Sequence, residues 1–361
     1  MSSQIYLDYA ATAPIDAAAI DAMTDAARAW ANPSSVHAAG RLARAALEAA
    51  RAEVARALGT DRTVLFTSSG TEALHIALGR ARTASHMASA IEHRAVLSAV
   101  PDARIVTVDA RGLIDLTALE GAVGHAPGPE LIAVMHANNE TGVVQPIDEV
   151  ARIARVASAL LLVDAVQSAG KLPLPDADFI AVSAHKLGGP PGVGALIVRD
   201  LGLLAANGGG QERGYRAGTE NLPAIAGFAA ALGARASDAN STARVAALRS
   251  RLEKSLCAAG GLIAGDGAER LPNITCVAMP GVEAIRQLML FDLEGFAVSA
   301  GAACSSGTVK ASHVLTAMGW GAAASEAIRV SLGWRTTEAE VDAFAAAWQR
   351  VAARLGRRAA A

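Results

Sequence analysis

The sequence predicts an α/β protein: a large unit on a mostly parallel sheet covered by helices, then a smaller C-terminal α/β unit. Three observations predict it. Short apolar runs alternate with helical stretches between residues 64 and 198. Strands joined by helices pair in parallel and are buried on both faces. Polar residues stand just past the ends of these runs, at Ser68, His93, Asn138, Asn139, Asp164 and Ser183, where open α/β sheets bind ligands. A helical region over 222–259 then separates this pattern from a shorter one that resumes near Leu262.

The elements follow in order. Ile5-Tyr-Leu reads as a short strand running into a turn that closes at Pro14, with a helix over 16–30. Residues 32–41 form a polar loop whose Asn and Ser side chains suit the N-cap of the alanine-rich helix behind it. Val64 opens a strand that ends in a tight Ser-Ser-Gly turn and a helix to about Arg82. Further strands are expected at 87–91, 105–108, 131–135, 160–163, 179–182 and 195–198. Helices fill 116–123, 147–157 and the interval after Glu92 and His93. Residues 208–221 combine glycines with Arg213 and Arg216, which favours a loop that meets an anion or another subunit over a plain linker. The C-terminal part carries strands at 262–264, 273–279, 297–299 and 328–332, with helices at 283–293, 312–318 and 338–354.

Composition narrows the function. The chain has 361 residues, 52% hydrophobic and 18% charged, with a net charge of −2. That is a soluble globular composition with length for a large shared core. It lacks the basic surplus of a nucleic-acid binder. No apolar run reaches the length of a membrane span, and the first residues lack a signal peptide's basic and apolar regions. The three cysteines, Cys257, Cys276 and Cys304, are far apart and odd in number. They fit a reducing cytoplasm and argue against a disulfide framework or a cysteine-rich metal site. Cys276 in an apolar strand and Cys257 in a helix read as buried and inert. Cys304 lies among small residues in a loop, where a reactive and an inert thiol are both open readings.

The candidate chemistry centres on Lys186. An apolar run, 179–182, ends in Ser183, His185 and Lys186, followed by Gly-Gly-Pro-Pro-Gly. Alone, such a lysine is a snorkelling surface residue or a desolvated amine whose lowered pKa makes it a nucleophile. Its neighbours favour the second reading. A parallel run ends in Asp164, with Gln167 close behind. A lysine and an acid at neighbouring strand ends suit pyridoxal phosphate (PLP), the lysine as Schiff base and the acid as partner of the pyridinium nitrogen. Ser69, Gly70 and Thr71 at a helix start offer N–H groups to a phosphate, although such turns are also ordinary N-caps. His93 is either a structural histidine or a flat ring for stacking. Asn139 and Gln167 are hydrogen-bond donors for a ring oxygen, or turn formers.

Ten segments together carry a resemblance. They are Tyr6-Leu-Asp-Tyr-Ala-Ala-Thr-Ala-Pro14, Asn32-Pro-Ser-Ser-Val-His-Ala-Ala-Gly-Arg41, Thr67-Ser-Ser-Gly-Thr-Glu72, Glu92-His93, Asn138-Asn-Glu-Thr-Gly142, Asp164-Ala-Val-Gln167, Ser183-Ala-His-Lys186, 208–219, 299–307 and Arg329-Val-Ser-Leu-Gly333. In this order they closely resemble the NifS/IscS-type cysteine desulfurases, within the class V PLP-dependent aminotransferases. The resemblance spans almost the whole chain and implies the type I fold of PLP-dependent transferases. It implies a large PLP-binding domain over 14–240 and a small domain made of 1–13 and 241–361. It also implies each role. Lys186 is similar to the Schiff-base lysine, Asp164 to the pyridinium partner and His93 to the ring-stacking histidine. Asn139 and Gln167 resemble ring-oxygen contacts. Gly70, Thr71, Ser183 and His185 resemble the phosphate cup, with Thr219 reaching it from a neighbouring subunit. Asn32 and Arg329 resemble contacts to the substrate carboxylate. Cys304 resembles the cysteine that accepts sulfur as a persulfide, on a loop that must move; a transient iron–sulfur ligation by Cys304 is allowed, and no resident metal is expected.

The implied reaction turns L-cysteine into L-alanine in a cytoplasmic homodimer and hands sulfur to an acceptor or scaffold protein. The acceptor would serve iron–sulfur clusters or another sulfur-containing cofactor. Neither nucleic acid nor membrane is an expected partner. The alternative is another class V enzyme: a selenocysteine lyase, a β-eliminating lyase or an aminotransferase. The chain departs from the family's Ser-Leu-Gly-Arg at Trp334, so no role is carried to the arginine that follows.

Overall fold

A computed structural model of the chain describes residues 4–236, 238–301 and 311–359. It opens with β1 (Ile5–Tyr6), α1 (Ala17–Arg28) and α2 (Ala38–Ala57). A seven-stranded sheet follows, built from β2 (Thr63–Thr67), β3 (Ser85–Ser89), β4 (Arg104–Val106), β5 (Glu130–Met135), β6 (Leu160–Asp164), β7 (Phe179–Ser183) and β8 (Gly194–Val198). Its order is β2-β8-β7-β6-β5-β3-β4. Helices α3 (Gly70–Arg80), α4 (Arg94–Leu97), α5 (Leu116–Ala122) and α6 (Ile147–Val156) connect the strands. Pairing is parallel from β4 through β3, β5 and β6 to β7, while β8 runs antiparallel to both of its neighbours. The reason is length. Only the turn around Gly188 and Gly192 joins β7 to β8, too short for a helical crossover, and both glycines have positive φ (86° and 80°).

Side-chain alternation sorts the sheet into two cores. Phe66, Ile132, Val134, Val163, Ile180 and Ile197 pack with Leu47 and Val54 of α2 and with Ile225 and Phe228. Leu65, Leu131, Leu162, Phe179, Ala181 and Leu196 face the other way, against Leu74 and Ala77 of α3 and Val96 of α4. A period of two on strands buried on both faces requires this division.

The helical stretch expected as one region is two helices, α7 (Leu222–Ala236) and α8 (Ala239–Ala258). Beyond it come β9 (Leu262–Ile263), β10 (Ile274–Ala278), α9 (Ala284–Leu293), β11 (Phe296–Ala297), α10 (His313–Ala317), β12 (Ala327–Ser331) and α11 (Glu338–Ala359). Strands β9, β10 and β12 form an antiparallel sheet. The N-terminal β1 pairs in parallel with β11, and Leu7 packs with Leu252, Phe291, Ile328, Phe344 and Trp348. The segment around β1 and the C-terminal part therefore share a core.

Several boundaries differ from expectation. β3 begins and ends two residues early because Ala90 and Ile91 already belong to a turn. Ser299 lies outside β11 and instead bridges Arg329 in antiparallel fashion. Cys276 is buried in β10 as expected, but Cys257 is exposed on α8. The apolar stripe of α8 is Val245, Leu248, Leu252 and Leu256, and Cys257 falls one position past it. Burial also pushes the Cys276 thiol far up, which keeps it protonated and inert. Cys257→Ser should therefore leave the unfolding free energy, from urea titration, within about 0.5 kcal/mol of wild type. Cys276→Ser should cost about 1–3 kcal/mol through a poorly bonded buried hydroxyl. Equal losses in the two variants would contradict the placement.

Candidate functional site

The carboxyl edge of the central sheet opens into a cavity of about 380 Å³. The ends of β6 and β7 meet there, because the two strands pair in parallel with Asp164 opposite Ala181. Asp164 closes β6, and its Oδ1 accepts the Val166 N–H at 2.9 Å. A 3₁₀ turn over Ala184–Lys186 carries Lys186 off the end of β7 and into the cavity. Lys186 Nζ donates to the carbonyls of Ala10 (2.7 Å) and Ala11 (2.6 Å), and Gln167 Nε2 donates to Ala10 O at 2.9 Å. The N-terminal segment thus forms one wall.

The opposite wall suits a phosphate. Helix α3 starts at Gly70 with Ser69 as N-cap, its side chain accepting from Glu72 N. The first N–H groups of a helix lack intrahelical partners, and its positive dipole end favours an anion. Gly70 and Thr71 line the cavity at this point, beside Ser183 and His185. Gly70 must be small: a Cβ there would lie 2.6 Å from Val166 Cγ2. Ser183 Oγ and His185 Nδ1 share a hydrogen bond of 3.0 Å.

His93 lines the cavity and caps α4, with Nδ1 accepting the Ala95 N–H at 3.1 Å. That bond places the ring proton on Nε2. Asn139 and Arg329 complete the lining. Arg329 is 7% exposed, donating from Nη1 to Asn139 O at 2.9 Å and from Nη2 to Asp8 Oδ1 at 2.9 Å. Its Nε is buried with no partner among the described residues. A guanidinium that lines the cavity and is fixed by these bonds suits a carboxylate.

Burial governs the electrostatics. It lowers the Lys186 ammonium to about 8, helped by the Arg329 charge and opposed by Asp8 and Asp164. It raises the Asp164 carboxyl to about 6, against the pull of the Val166 N–H and of Lys186. Desolvation and the Lys186 charge push His185 down to about 4 and lower His93, so both rings are neutral at pH 7. An amine near neutrality, an acid that a facing cation would ionise and a neutral flat ring are what a PLP site asks of these positions. The helix terminus supplies the phosphate end, and the cavity falls in the size range of cofactor pockets. The residues fit the group.

Two expected site residues lie away from the cavity, and a third falls outside the described residues. Asn32 is exposed, and its Oδ1 accepts the Ser34 N–H at 2.9 Å instead of facing the cavity. Thr219 is exposed beside a separate small pocket shared with Ser68 and Arg216. Cys304 lies outside the described residues. Other residues emerge that composition and periodicity do not single out. Asp8 holds Arg329 and accepts Ser299 Oγ at 3.0 Å. Glu92 is fully buried, accepting the Met135 N–H at 2.7 Å, and burial raises its carboxyl well above the ordinary range. Both sit in quoted motifs, but contacts across the fold reveal what they touch. Trp334, where the chain departs from the family pattern, lies under the Arg235 guanidinium (3.9 Å) and edge-on to Tyr9.

Comparison with known proteins agrees with this geometry. The model for the class V aminotransferases matches residues 5–344. The chain belongs to the class V aminotransferase family. A cysteine desulfurase IscS from an Anaeromyxobacter species is 41% identical over 346 residues, 88% of this chain and 85% of that protein. The solved NifS-like protein of Rickettsia africae is 34% identical with a TM-score of 0.89, covering 96% of this chain and 99% of that one. A further solved structure, SspA in complex with cysteine, is 29% identical with a TM-score of 0.77, covering 92% of this chain and 100% of that one. The family is PLP-dependent, and the fold is its type I fold.

Labelling of Lys186 tests the electrostatics. In cofactor-free protein, reductive labelling by an aldehyde should rise about tenfold per pH unit as the amine deprotonates, then level off above about pH 8. Arg329→Met removes a lowering charge and should move the plateau to higher pH. Mass spectrometry of the Lys186 peptide reads both, and a rise continuing past about pH 10 would exclude a depressed amine.

Proposed function

We propose that the protein is a PLP-dependent cysteine desulfurase that converts L-cysteine to L-alanine and takes the sulfur onto Cys304. One observation carries the reading: Lys186 and Asp164, at the ends of adjacent parallel strands, face one cavity together with Arg329. The kinship with cysteine desulfurases supports it.

When bound, PLP supplies an electron sink that labilises the substrate's Cα proton and weakens the bond to Sγ. The chain's residues do the rest. Lys186 would hold the cofactor covalently and, once freed by substrate, take the Cα proton and later give it up. Asp164 would keep a proton on the ring nitrogen. His93 would stack on the ring and exclude water from it. Gln167 and Asn139 would donate to the ring oxygen, and Gly70, Thr71, Ser183 and His185 would seat the phosphate. Arg329 receives the substrate carboxylate and fixes Sγ in one direction. The Cys304 thiolate then attacks Sγ: an S–S bond forms, the C–S bond breaks, and its electron pair and a proton stay with the product. Cysteine and one thiol become alanine and one persulfide. A sulfur acceptor or scaffold protein, for iron–sulfur clusters or another sulfur-containing cofactor, takes the sulfur on in the cytoplasm. Among the described residues no helix is long and apolar enough to cross a membrane.

The reading includes a homodimer. Thr219 is exposed and away from the cavity of its own chain, on a loop whose base is pinned from within. Glu212, in that loop, is buried and accepts Arg51 Nη1 and Nη2 at 2.7 and 3.0 Å and the Phe66 N–H at 2.9 Å. The backbone at Glu212 and Arg213 is left-handed (φ 44° and 56°), a conformation that such an anchor can hold. A loop built this firmly and left exposed suits delivery of Thr219 to a second subunit.

Substitutions, peptide mass spectrometry and light scattering test these proposals. Lys186→Ala should lose the visible absorption of bound cofactor and all turnover. Cys304→Ser should keep that absorption and cysteine binding, yet form no persulfide, because a serine hydroxyl is barely ionised near neutral pH. A one-sulfur mass increase on the Cys304 peptide is expected in wild type; pyruvate in place of alanine would point to a lyase. Light scattering should give twice the chain mass, and a fully active monomer would refute the shared site.

A further inference from the structure

The central sheet leaves one donor over at the edge of the cavity. Strand β3 pairs with β5 only from Ser85 to Ala88, opposite Glu130 to Ala133. β5 runs on to Met135, which lies opposite Asp164 of β6. The next residue, His136, donates its N–H to Asp164 O at 2.8 Å, so the Met135 N–H points the other way, to the side where β3 has ended. A side chain takes the place of the missing strand: Glu92 Oε1 accepts that N–H at 2.7 Å. Glu92 is 0% exposed and is pinned at two further points. Its N–H donates to Ser89 O at 3.2 Å, and its main-chain oxygen accepts His313 Nε2 at 3.0 Å. His93 comes next in the chain, and His93, Met135 and Asp164 all line the cavity. One carboxyl thus ties the residue before His93 to the strand end beside Asp164, and the chemistry above makes no use of it.

We infer that Glu92 is a positioning residue for the cofactor ring, fixing His93 and Asp164 relative to each other so that a flat ring can pack on the imidazole while its nitrogen meets the acid. The surroundings show what the position asks for. The Met135 N–H needs an oxygen at the end of a long side chain, since a buried N–H left unpaired is costly. It does not need a charge. Glu92 Oε2 is buried with no partner among the described residues, and a carboxyl bonded at one oxygen only is held at less cost as the neutral acid. Burial, opposed by the Met135 N–H and aided by the Asp164 charge, raises the carboxyl in that direction. A neutral Glu92 also places no second negative charge near Asp164. Glutamine therefore reproduces what the position supplies. Methionine, of similar length but without an oxygen, does not, and aspartate falls one carbon short of Met135.

The inference rests on the ring contacts proposed for His93 and Asp164, and the test separates the two. The full chain is loaded with pyridoxal phosphate, and the visible absorption and visible circular dichroism of the bound cofactor are recorded. The dichroism reports how the ring is seated, because the free cofactor is achiral and has none. The cofactor's dissociation constant comes from titration of the cofactor-free chain, whose far-ultraviolet dichroism and melting temperature show whether it is folded. Glu92→Gln should match wild type in visible dichroism and keep the dissociation constant within about twofold, since it keeps the bond to Met135. Glu92→Met should still load through Lys186 and absorb in the visible, but with weaker dichroism and a dissociation constant raised about 3- to 10-fold, as for a ring contact set askew. If Glu92→Met does not fold, Glu92→Asp takes its place with the same expected losses. Glu92→Met with wild-type dichroism and affinity overturns the inference. So does Glu92→Gln as impaired as Glu92→Met, or a loss of dichroism that only follows the unfolded fraction. Wild type that takes up no pyridoxal phosphate overturns the cofactor contacts themselves and the inference with them.

Discussion

The ammonium of Lys186 is the group around which the molecule is arranged. It stands at the end of a strand buried on both faces, where a charge is costly unless it is bonded. Two main-chain carbonyls, of Ala10 and Ala11, accept its protons. These carbonyls belong to the segment after β1, which pairs not with the central sheet but with β11. The bonds that make the amine tolerable in the interior therefore also tie the large sheet to the C-terminal core. The same burial lowers the amine to about 8, within reach of the neutral form that a nucleophile needs.

That tie explains why Arg329 arrives opposite Lys186. Strand β12 lies beside β10 in the small sheet, and Ser331 bridges Asp8 in parallel. Asp8 then accepts from Arg329 and Ser299, so the N-terminal segment locates the arginine as well as the lysine. A carboxylate entering the cavity meets a guanidinium held in place by Asp8 and Asn139 O.

Much of this was legible in the chain and some was not, for physical reasons. The alternation of apolar runs and polar strand ends predicts the parallel sheet and places Ser183, Lys186 and Asp164 on its ligand edge, since strand direction fixes which end is which. The reversal of β8 follows from the short glycine-proline link before it. Cys257 was misplaced because residue type says little about helix phase; its neighbour Leu256 holds the buried position. Asp8 and Glu92 escaped because their partners lie far away in sequence, at Arg329 and Met135. Asn32 and Thr219 match their motifs but not the cavity of one chain, and motif order alone does not say which subunit a residue serves. Trp334 is a departure that the fold absorbs: it supports Arg235 and fills the space above Gly188, where a Cβ would lie 3.0 Å from its ring.

The charges of the site form a balanced set. The Arg329 charge disfavours the Lys186 cation, while Asp8 and Asp164 offset that effect. Neutral His93 and His185 add no charge, because burial and Lys186 together hold their protonation down. A zwitterionic amino acid brings a carboxylate to Arg329 and relieves part of the repulsion on Lys186. A cationic ring nitrogen beside Asp164 would draw that carboxyl back below its elevated value of about 6. Burial thus makes one amine more acidic and one acid more basic than either is in water. Each shift is relieved by a ligand group of opposite charge: a carboxylate near Lys186 and Arg329, and a cationic nitrogen beside Asp164.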